Sequence, residues 1–332
     1  MIRALVRAFV TLVFLVAIAV AGAALWYRQT IHSDALPESD TEIVIPSGAT
    51  GRDIARLLAD RKVVSSAFAF ELLARIEGQR SNMKAGEFVF AAHRPMTDVL
   101  HEVVTEGRAV AVWVTIPEGY TAREIASTLA AAGVGSSDGF DATFLHSAPT
   151  VDGERAANYE GFLFPETYLV PLAATPEQVA SQMFDQFERE LPPDAPKLAR
   201  ALGLTVPQVV TVASIVEREA KVDDERALMA GVYYNRLRLG MPLQVDATIE
   251  YTFAHHKDEI TYADLARDSP YNTYERTGLP PTPIANPGRA SLLAAFHPKK
   301  SDYLYYVAMQ NGRSAFSRTL AGHNANVAKY LK

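Results

Sequence analysis

The sequence predicts an α+β protein with an N-terminal apolar helix, a small module of strands and helices, and a larger mixed domain. Three observations support this prediction: a charge-free stretch near the amino terminus, a repeated strand–turn–helix pattern, and strands and helices that alternate without a regular βαβ rhythm. The chain has 332 residues, of which 48% are apolar, and this is enough to bury one large core or two smaller ones.

Composition excludes several classes of function. The formal net charge is −6 and no Lys/Arg-rich block is present, so nucleic acid is not an expected partner. The chain has no cysteine, which excludes disulfides, cysteine metal sites and thiol nucleophiles. The H-E-x-x-H, G-x-S-x-G, Walker and G-x-G-x-x-G motifs are missing too. We therefore expect neither a metal nor a cofactor.

The amino-terminal stretch is typical of a membrane span. Ala8–Tyr27 contains no charged residue, and a helix of this length rises about 30 Å, the thickness of a bilayer's hydrocarbon core. Arg3 and Arg7 precede it, so the positive-inside rule places the amino terminus in the cytoplasm and the rest outside. The alternative is a cleaved signal peptide with the site Ala19–Ala21, but the apolar run continues past it, which favours an uncleaved anchor.

A repeat marks the start of each folded part. Residues 45–64 and 116–135 are identical at ten of twenty positions without a gap. Each copy reads as a strand end, a Pro/Gly turn, a threonine cap (Thr50, Thr121) and an amphipathic helix. We interpret the repeat as a structural duplication in preference to a duplicated sugar-binding element.

These signals give the predicted layout. We expect an anchor at residues 1–28, a linker at 29–40, the small module at 41–109 and the larger domain at 110–332. The predicted elements of the module are strands at 41–45 and 87–91 and helices at 50–61, 67–76 and 96–106. Those of the larger domain are a strand at 110–116, helices at 176–191, 206–220, 224–239 and 320–331, and strands at 303–309 and 314–318, joined by a type I′ turn at Asn311-Gly312.

The helix at 206–220 is the strongest candidate for chemistry. Its apolar residues cover an arc of roughly 220°, so most of its surface must be buried. Glu217 and Glu219 project within or beside this arc, whereas Arg218 falls on the opposite side together with Thr211 and Ser214, which we expect to face water.

Carboxyl groups in such a place suit acid–base catalysis. A carboxylate held against apolar neighbours has its charged form disfavoured, which raises its pKa towards that of a general acid working near neutral pH. The alternative, equally supported by the pattern, is a pair of structural carboxylates bound to arginines such as Arg226 or Arg236.

The segment Ser269–Gly288 contains five prolines and predicts a long irregular stretch, which in a compact domain is usually functional. Its Tyr271, Asn272, Tyr274 and Asn286 are suited to sugars, because aromatic faces stack on pyranose rings and amides bind hydroxyl groups. The alternative is a rigid, proline-braced surface loop.

These motifs carry a resemblance that runs over nearly the whole chain. The chain resembles the endolytic murein transglycosylases (MltG/YceG-like) of bacterial inner membranes. The matching segments are YEGFLFPETY at 159–168, ASIVEREA at 213–220, AGVYYNRLRLGMPLQVDATIEY at 230–251 and SPYNTYERTGLPPTPI at 269–284.

The resemblance implies an activity and a catalytic residue. In that family the first glutamate of the V-E-x-E segment, here Glu217, is catalytic. The family cleaves the β-1,4 bond between MurNAc and GlcNAc inside nascent peptidoglycan strands. One carboxyl group protonates the leaving oxygen and then accepts the proton of the MurNAc C6 hydroxyl, which closes a 1,6-anhydro ring. Such a reaction needs neither a well-spaced second carboxylate nor a metal.

The resemblance also implies a location, partners and substrate-binding residues. The small module is expected to be LysM-like, and the folded part to lie outside the inner membrane, with glycan strands, peptidoglycan synthases and the elongation or division machinery as partners. The residues expected to bind substrate are Glu219, Asn235, Asp246, Tyr271 and Asn272.

Three positions depart from the family's pattern: Ser314 stands where a histidine is usual, Ala247 where proline is common, and Thr282 where glycine is common. The change at Ser314 puts in doubt any role given to that histidine. Two other functions remain open, a catalytically silent peptidoglycan-binding scaffold and a hydrolytic muramidase.

Overall fold

The computed structural model describes residues 2–33, 35–46, 48–105, 111–253, 257 and 260–331. It divides into two compact units, residues 1–111 with 171–173, and residues 112–170 with 174–332. The boundary predicted between residues 109 and 110 lies outside the described residues.

The first unit begins with a long apolar helix. Its elements are α1 (Ile2–Ile31), β1 (Thr41–Ile45), α2 (Gly51–Asp60), α3 (Ala67–Ile76), β2 (Gly86–Phe90) and α4 (Met96–Thr105). Within α1, Phe9–Ile31 is long and apolar enough to cross a membrane. The helix continues three residues past the predicted end of the anchor, because Tyr27 and Ile31 pack against the core of this unit.

The rest of the first unit has the order β, α, α, β. Strands β1 and β2 pair antiparallel, with Thr41 opposite Phe90 and Ile45 opposite Gly86. Helix α2 begins at a capping box, in which the Thr50 side chain accepts from the Asp53 amide and the Asp53 side chain accepts from the Thr50 amide. The apolar faces of α2, α3 and α4 cover one face of the strands and close a small core.

The second unit holds the remaining elements. They are β3 (Ala111–Thr115), α5 (Ala122–Ala131), α6 (Ser137–His146), β4 (Thr150–Val151), β5 (Glu154–Arg155), β6 (Thr167–Pro171), α7 (Pro176–Glu190), α8 (Ala195–Ala201), α9 (Val206–Glu219), α10 (Asp223–Arg238), α11 (Asp246–Glu250), α12 (Tyr262–Leu265), α13 (Arg289–Phe296), β7 (Tyr305–Ala308), β8 (Ser314–Ser317) and α14 (Leu320–Tyr330). The fold is mixed α+β, as predicted.

The predicted repeat is confirmed. Thr121 caps α5 with φ −74° and ψ 161°, nearly the values at Thr50, −72° and 160°, and Glu124 completes the same capping box. A second helix follows in each copy, and each copy contributes a two-stranded sheet, β1 with β2 and β3 with β6. The second copy differs by the small hairpin β4–β5, which is inserted before its last strand.

Helix α9 forms the centre of the larger core, where it contacts α8, α10, α11 and α13. The expectation that Thr211 and Ser214 face water is wrong, since both are buried. Their hydroxyl groups donate to backbone carbonyls of the same helix, and Ser214 also accepts from the amide of Ile284. Hydroxyl groups satisfied in this way can be buried at small cost, so α9 is enclosed on nearly all sides.

Two local predictions have different outcomes. The turn between β7 and β8 is not type I′, because of the two central residues only Gly312 has positive φ. The Gly312 amide donates to Met309, and the Met309 amide donates to Arg313, which gives a longer loop. The irregular character of residues 269–288 is confirmed: they form no helix or strand beyond a single bridge from Thr277 to Pro242.

Candidate active site

Glu217 lies in the last turn of α9, and both of its carboxylate oxygens have partners. Oε1 accepts from Arg226 at 3.2 Å, and Oε2 accepts from the backbone amide of Gly288 at 2.9 Å. Only 6% of the Glu217 side chain is exposed. A carboxylate so enclosed and so paired is strongly oriented, and both donors stabilise its anionic form.

Arg226 is itself fixed by three groups. Besides Glu217, its guanidinium donates to Asp223 at 3.0 Å and to the hydroxyl of Ser291 at 2.6 Å. The alternative suggested by the sequence, an ion pair between Arg226 and a glutamate of α9, is therefore present. Arg236 has another role, because it donates to the carbonyls of Pro242, Leu243 and Leu304.

A second carboxyl group, missed in the sequence, lies beside Glu217. Glu118 belongs to the turn between β3 and α5, and it is exposed. A Cβ atom added to Gly288 would lie 1.9 Å from Oε1 of Glu118, so this carboxylate rests directly on the residue whose amide binds Glu217. Partial loss of hydration raises the pKa of the Glu118 carboxyl group, and the negative charge of Glu217 raises it further.

A signal for Glu118 was present in the repeat. The turn of the first copy reads Ile45-Pro-Ser-Gly and that of the second reads Ile116-Pro-Glu-Gly. The glutamate replaces the serine found at the same position of the other copy. A charged residue at one of two otherwise similar turns is a signal of function.

Backbone pairing holds this turn against the segment that precedes α13. The Gly119 amide donates to the carbonyl of Asn286 at 2.9 Å, and the Asn286 amide donates to the carbonyl of Tyr120 at 2.8 Å. The Asn286 side chain, fully buried, accepts from the Leu163 amide and donates to the Tyr120 carbonyl. Asn286 therefore fixes the position of Gly288 and cannot bind a sugar directly.

Glu160 completes this support from the interior. It is almost completely buried and accepts hydrogen bonds from the Ala122 amide, from Asn286 and from the hydroxyl of Tyr251. Burial raises the pKa of Glu160 to about 8, because the hydrogen bonds only partly compensate for lost hydration. Near neutral pH, Glu160 therefore carries a proton in the folded chain.

Glu219 lies apart from Glu217, since two residues along a helix turn a side chain by about 200°. It accepts from the hydroxyl of Tyr306 at 2.9 Å, and Tyr306 shares a 2.6 Å hydrogen bond with Tyr233. Burial raises the pKa of Glu219, and nearby Asp246 raises it further. The raised pKa expected for a carboxyl group of this helix is thus found at Glu219, and Asp246 is itself bonded to Tyr274.

The two predicted asparagines serve the backbone. Asn235 donates to the carbonyls of Ser301 and Tyr303, at 2.8 and 3.0 Å. Asn272 is fully buried; its amide nitrogen donates to two carbonyls and its oxygen accepts from two amides. Among the described residues, neither side chain is bonded to Glu217, and sugar binding by Asn235 or Asn272 stays a prediction.

Tyr271 lines a cavity of about 640 Å³ on the Arg218 side of α9. The rings of Tyr251 and Tyr271 lie 4.9 Å apart in its wall. Arg218, also in the wall, is paired with Glu250 at 3.1 Å. Thr282, one of the departures from the family pattern, shares a 2.8 Å hydrogen bond with Tyr271. Glu217 itself does not line this cavity.

Ser314, where the family usually has histidine, begins β8. Its backbone amide donates to Glu225 at 2.8 Å, and Arg313 beside it pairs with Asp224 and Glu225. Within the described ranges, no three His, Asp or Glu side chains lie close enough together to hold a metal ion.

Comparisons with known proteins agree with these motifs. The family model described as "YceG-like family" matches residues 43–329. The chain is 33% identical to the endolytic murein transglycosylase of Bacillus subtilis (strain 168), over 93% of this chain and 91% of that protein. It is 30% identical to the endolytic murein transglycosylase of Streptococcus pneumoniae (serotype 2, strain D39), over 98% of this chain and 66% of that protein.

A solved structure is similar as well. The 2.6 Å crystal structure of a yceG-like protein from Listeria monocytogenes superposes with a TM-score of 0.56 at 30% identity, covering 87% of this chain and 99% of that one. The match of the family model over nearly the whole chain, together with these relatives, shows that the chain belongs to the YceG-like family.

Proposed function

We propose that this protein is an endolytic lytic transglycosylase of peptidoglycan, which cleaves the β-1,4 bond between MurNAc and GlcNAc and leaves 1,6-anhydro-MurNAc ends. The observation that supports it most is Glu217, held at the end of a buried helix by Arg226 and the Gly288 amide. The curated relatives in Bacillus and Streptococcus carry the name endolytic murein transglycosylase.

Glu217 has two roles in this reaction, first as a general acid and then as a general base. As an acid it protonates the glycosidic oxygen, and the electron pair of the C1–O bond goes to that oxygen. As a base it then accepts the proton of the MurNAc C6 hydroxyl, whose oxygen bonds to C1. Arg226 and Gly288 stabilise the carboxylate between the two steps, and no water is consumed.

The cavity beside Arg218 binds the part of the glycan strand that lies next to the cleaved bond. Its wall offers the rings of Tyr251 and Tyr271, whose planes are tilted by 50° to each other, and Glu219 and Asp246 supply polar contacts on the other side of α9. Aromatic faces and carboxylates of this kind suit pyranose rings and their hydroxyl groups.

The proposal includes a cellular location for the protein. Phe9–Ile31 crosses the inner membrane once, with the arginines before it in the cytoplasm and the two units outside. The first unit acts as a LysM-like module on new glycan strands, near the synthases and the elongation or division machinery. Support for this part comes from the apolar helix and from the β, α, α, β order of the module.

One observation favours a second candidate, a muramidase. Hydrolysis requires a base to activate water, and glycosidases that hydrolyse use two carboxyl groups. Glu118 supplies a second carboxyl group next to Glu217. A silent scaffold is disfavoured, because such a protein gains nothing from a glutamate buried against an arginine.

The products distinguish these functions. The full-length protein in detergent and its Glu217→Gln variant are incubated with purified glycan strands, and the ends are read by mass spectrometry. Anhydro ends from the parent and none from the variant are expected. Ends heavier by one water would establish the muramidase instead, and strands left intact by the parent would favour the scaffold.

The exposed Glu154 provides a matched control. Glu154→Gln removes one carboxylate from the same unit, so it is expected to cleave as the parent does. Cleavage that persists in Glu217→Gln would contradict the assignment of Glu217.

A further inference from the structure

Glu118 and Glu217 meet at one backbone residue. The amide of Gly288 donates to Glu217, and the carboxylate of Glu118 occupies the space where a side chain of Gly288 would begin. A Cβ atom added to Gly119, the residue after Glu118, would lie 3.6 Å from Cγ of Glu217. Glu118 therefore lies near the start of this unit and Glu217 near its middle, but the two glutamates meet at Gly288.

Their surroundings differ in a way that suits two complementary tasks. Glu217 is enclosed and has both oxygens bound, whereas Glu118 is exposed and accepts no hydrogen bond from any described residue. The charged groups that face this pair are Arg226, Asp223 and Arg218. Arg226 is shared between the ion pair with Glu217 and the one with Asp223, so one positive charge is divided between two carboxylates.

We propose that Glu118 is a second member of the acid–base machinery and that Glu118 and Glu217 together hold the single proton used in cleavage. Two carboxyl groups that meet at one residue and interact electrostatically do not ionise independently, and the proton belongs to the pair. The inference rests on the proposed function, but it concerns how the proton is held and applies whichever product forms.

The proton balance closes over one turnover. The resting pair carries one proton, which passes to the glycosidic oxygen as the C1–O bond breaks. The pair is then fully ionised, and Arg226 with the Gly288 amide stabilises the additional charge. The C6 hydroxyl bonds to C1 and returns its proton to the pair, so the enzyme ends as it began.

The first test is Glu118→Gln in the full-length protein, with kcat measured against pH on purified glycan strands. Because Glu118→Gln removes one ionisable carboxyl group from the pair, the alkaline limb of the profile should move to lower pH. Because Glu217 remains, kcat near pH 7 should fall by on the order of tenfold to a hundredfold, less than a complete acid–base residue supplies. A merely structural role of Glu118 would not move the limb.

The second test displaces Glu118 without removing it. Gly288 has φ −76°, which any residue adopts, so alanine is compatible with the backbone there and the amide that binds Glu217 is retained. The three atoms nearest to the new Cβ all belong to the carboxyl group of Glu118, at the end of its side chain. Gly288→Ala should therefore reproduce the loss seen in Glu118→Gln.

The double variant provides the check on mechanism. If alanine at 288 acts through Glu118, adding it to Glu118→Gln causes no further loss, and Glu154→Gln behaves as the parent throughout. An unchanged kcat and pH profile in Glu118→Gln, with an active parent, would overturn the proton pair. An inactive parent would instead refute the proposed function, so the two failures are distinguishable.

Discussion

The buried Glu160 should make the stability of the folded chain depend on pH. In the folded chain its pKa is raised to about 8 from the ordinary 4.5. Between these values the folded state holds a proton that the unfolded state has released, so a rise in pH favours unfolding. The destabilisation is absent below about pH 4.5, grows through the interval, and is complete above about pH 8.

The magnitude follows from the size of the shift. Each pKa unit corresponds to about 1.4 kcal/mol, so the whole interval corresponds to a loss of about 5 kcal/mol in the free energy of unfolding. Glu160→Gln removes this dependence, because its amide stands in for the protonated acid. The carbonyl can accept from Ala122 and Asn286 as Oε1 does, and the NH₂ group can donate to the Tyr251 hydroxyl.

Hydrogen exchange of the α9 amides, which lie in the core of the second unit, measures the effect. Parent and variant are compared at the same pH. The intrinsic exchange rate and the contributions of all other titrating groups to stability then cancel in the difference. The variant should gain relative to the parent by about 1.4 kcal/mol per pH unit between pH 5 and 8. Curves that stay parallel, with Glu154→Gln as the control, would refute the buried proton on Glu160.

Three further predictions follow from single contacts. Arg226→Met removes the positive charge from Glu217; turnover of glycan strands should fall at least about a hundredfold, and thermal unfolding should show a loss of about 3–5 kcal/mol, as expected when one partner of a buried pair is removed. A normal turnover would show that Glu217 needs no countercharge. Gly161→Ala should lower stability by about 2 kcal/mol or more, because Gly161 has φ +88° and the new Cβ would lie 2.4 Å from Pro283; an unchanged melting curve would contradict this. Tyr271→Ala should raise KM with little change in kcat if the cavity binds the strand, and a loss confined to kcat would argue against that role.

The local signals in the sequence were sufficient for most elements. The capping boxes at Thr50 and Thr121 each fix a helix start through contacts three residues apart, so a short pattern contains the whole interaction. The buried helix α9 was predictable for a similar reason, since the width of its apolar arc requires burial. The error at Ser214 came from the assumption that a hydroxyl faces water, when the Ile284 amide, seventy residues away, supplies its partner.

The candidate site was less predictable, because its contacts are long-range. Arg226 was named only as one of two alternatives, and nothing local distinguished it from Arg236. The meeting of Glu118 with Gly288 joins residues far apart in the chain, and it depends on the pairing of the turn with the segment at Asn286. The residue type of Asn272 suits both sugars and tight turns, and only the fold shows that four backbone groups bind its side chain.

The junction between α1 and the first unit has a consequence for motion. Tyr27 and Ile31 pack into the module's core, so the end of the apolar helix is held against the module. A helix in a bilayer diffuses laterally and rotates about its axis, but it keeps a nearly constant depth. With α1 in the membrane as proposed, the module inherits that constraint and its search for other molecules is two-dimensional. Encounter rates would then depend on surface density and on lateral diffusion, which lipid viscosity limits.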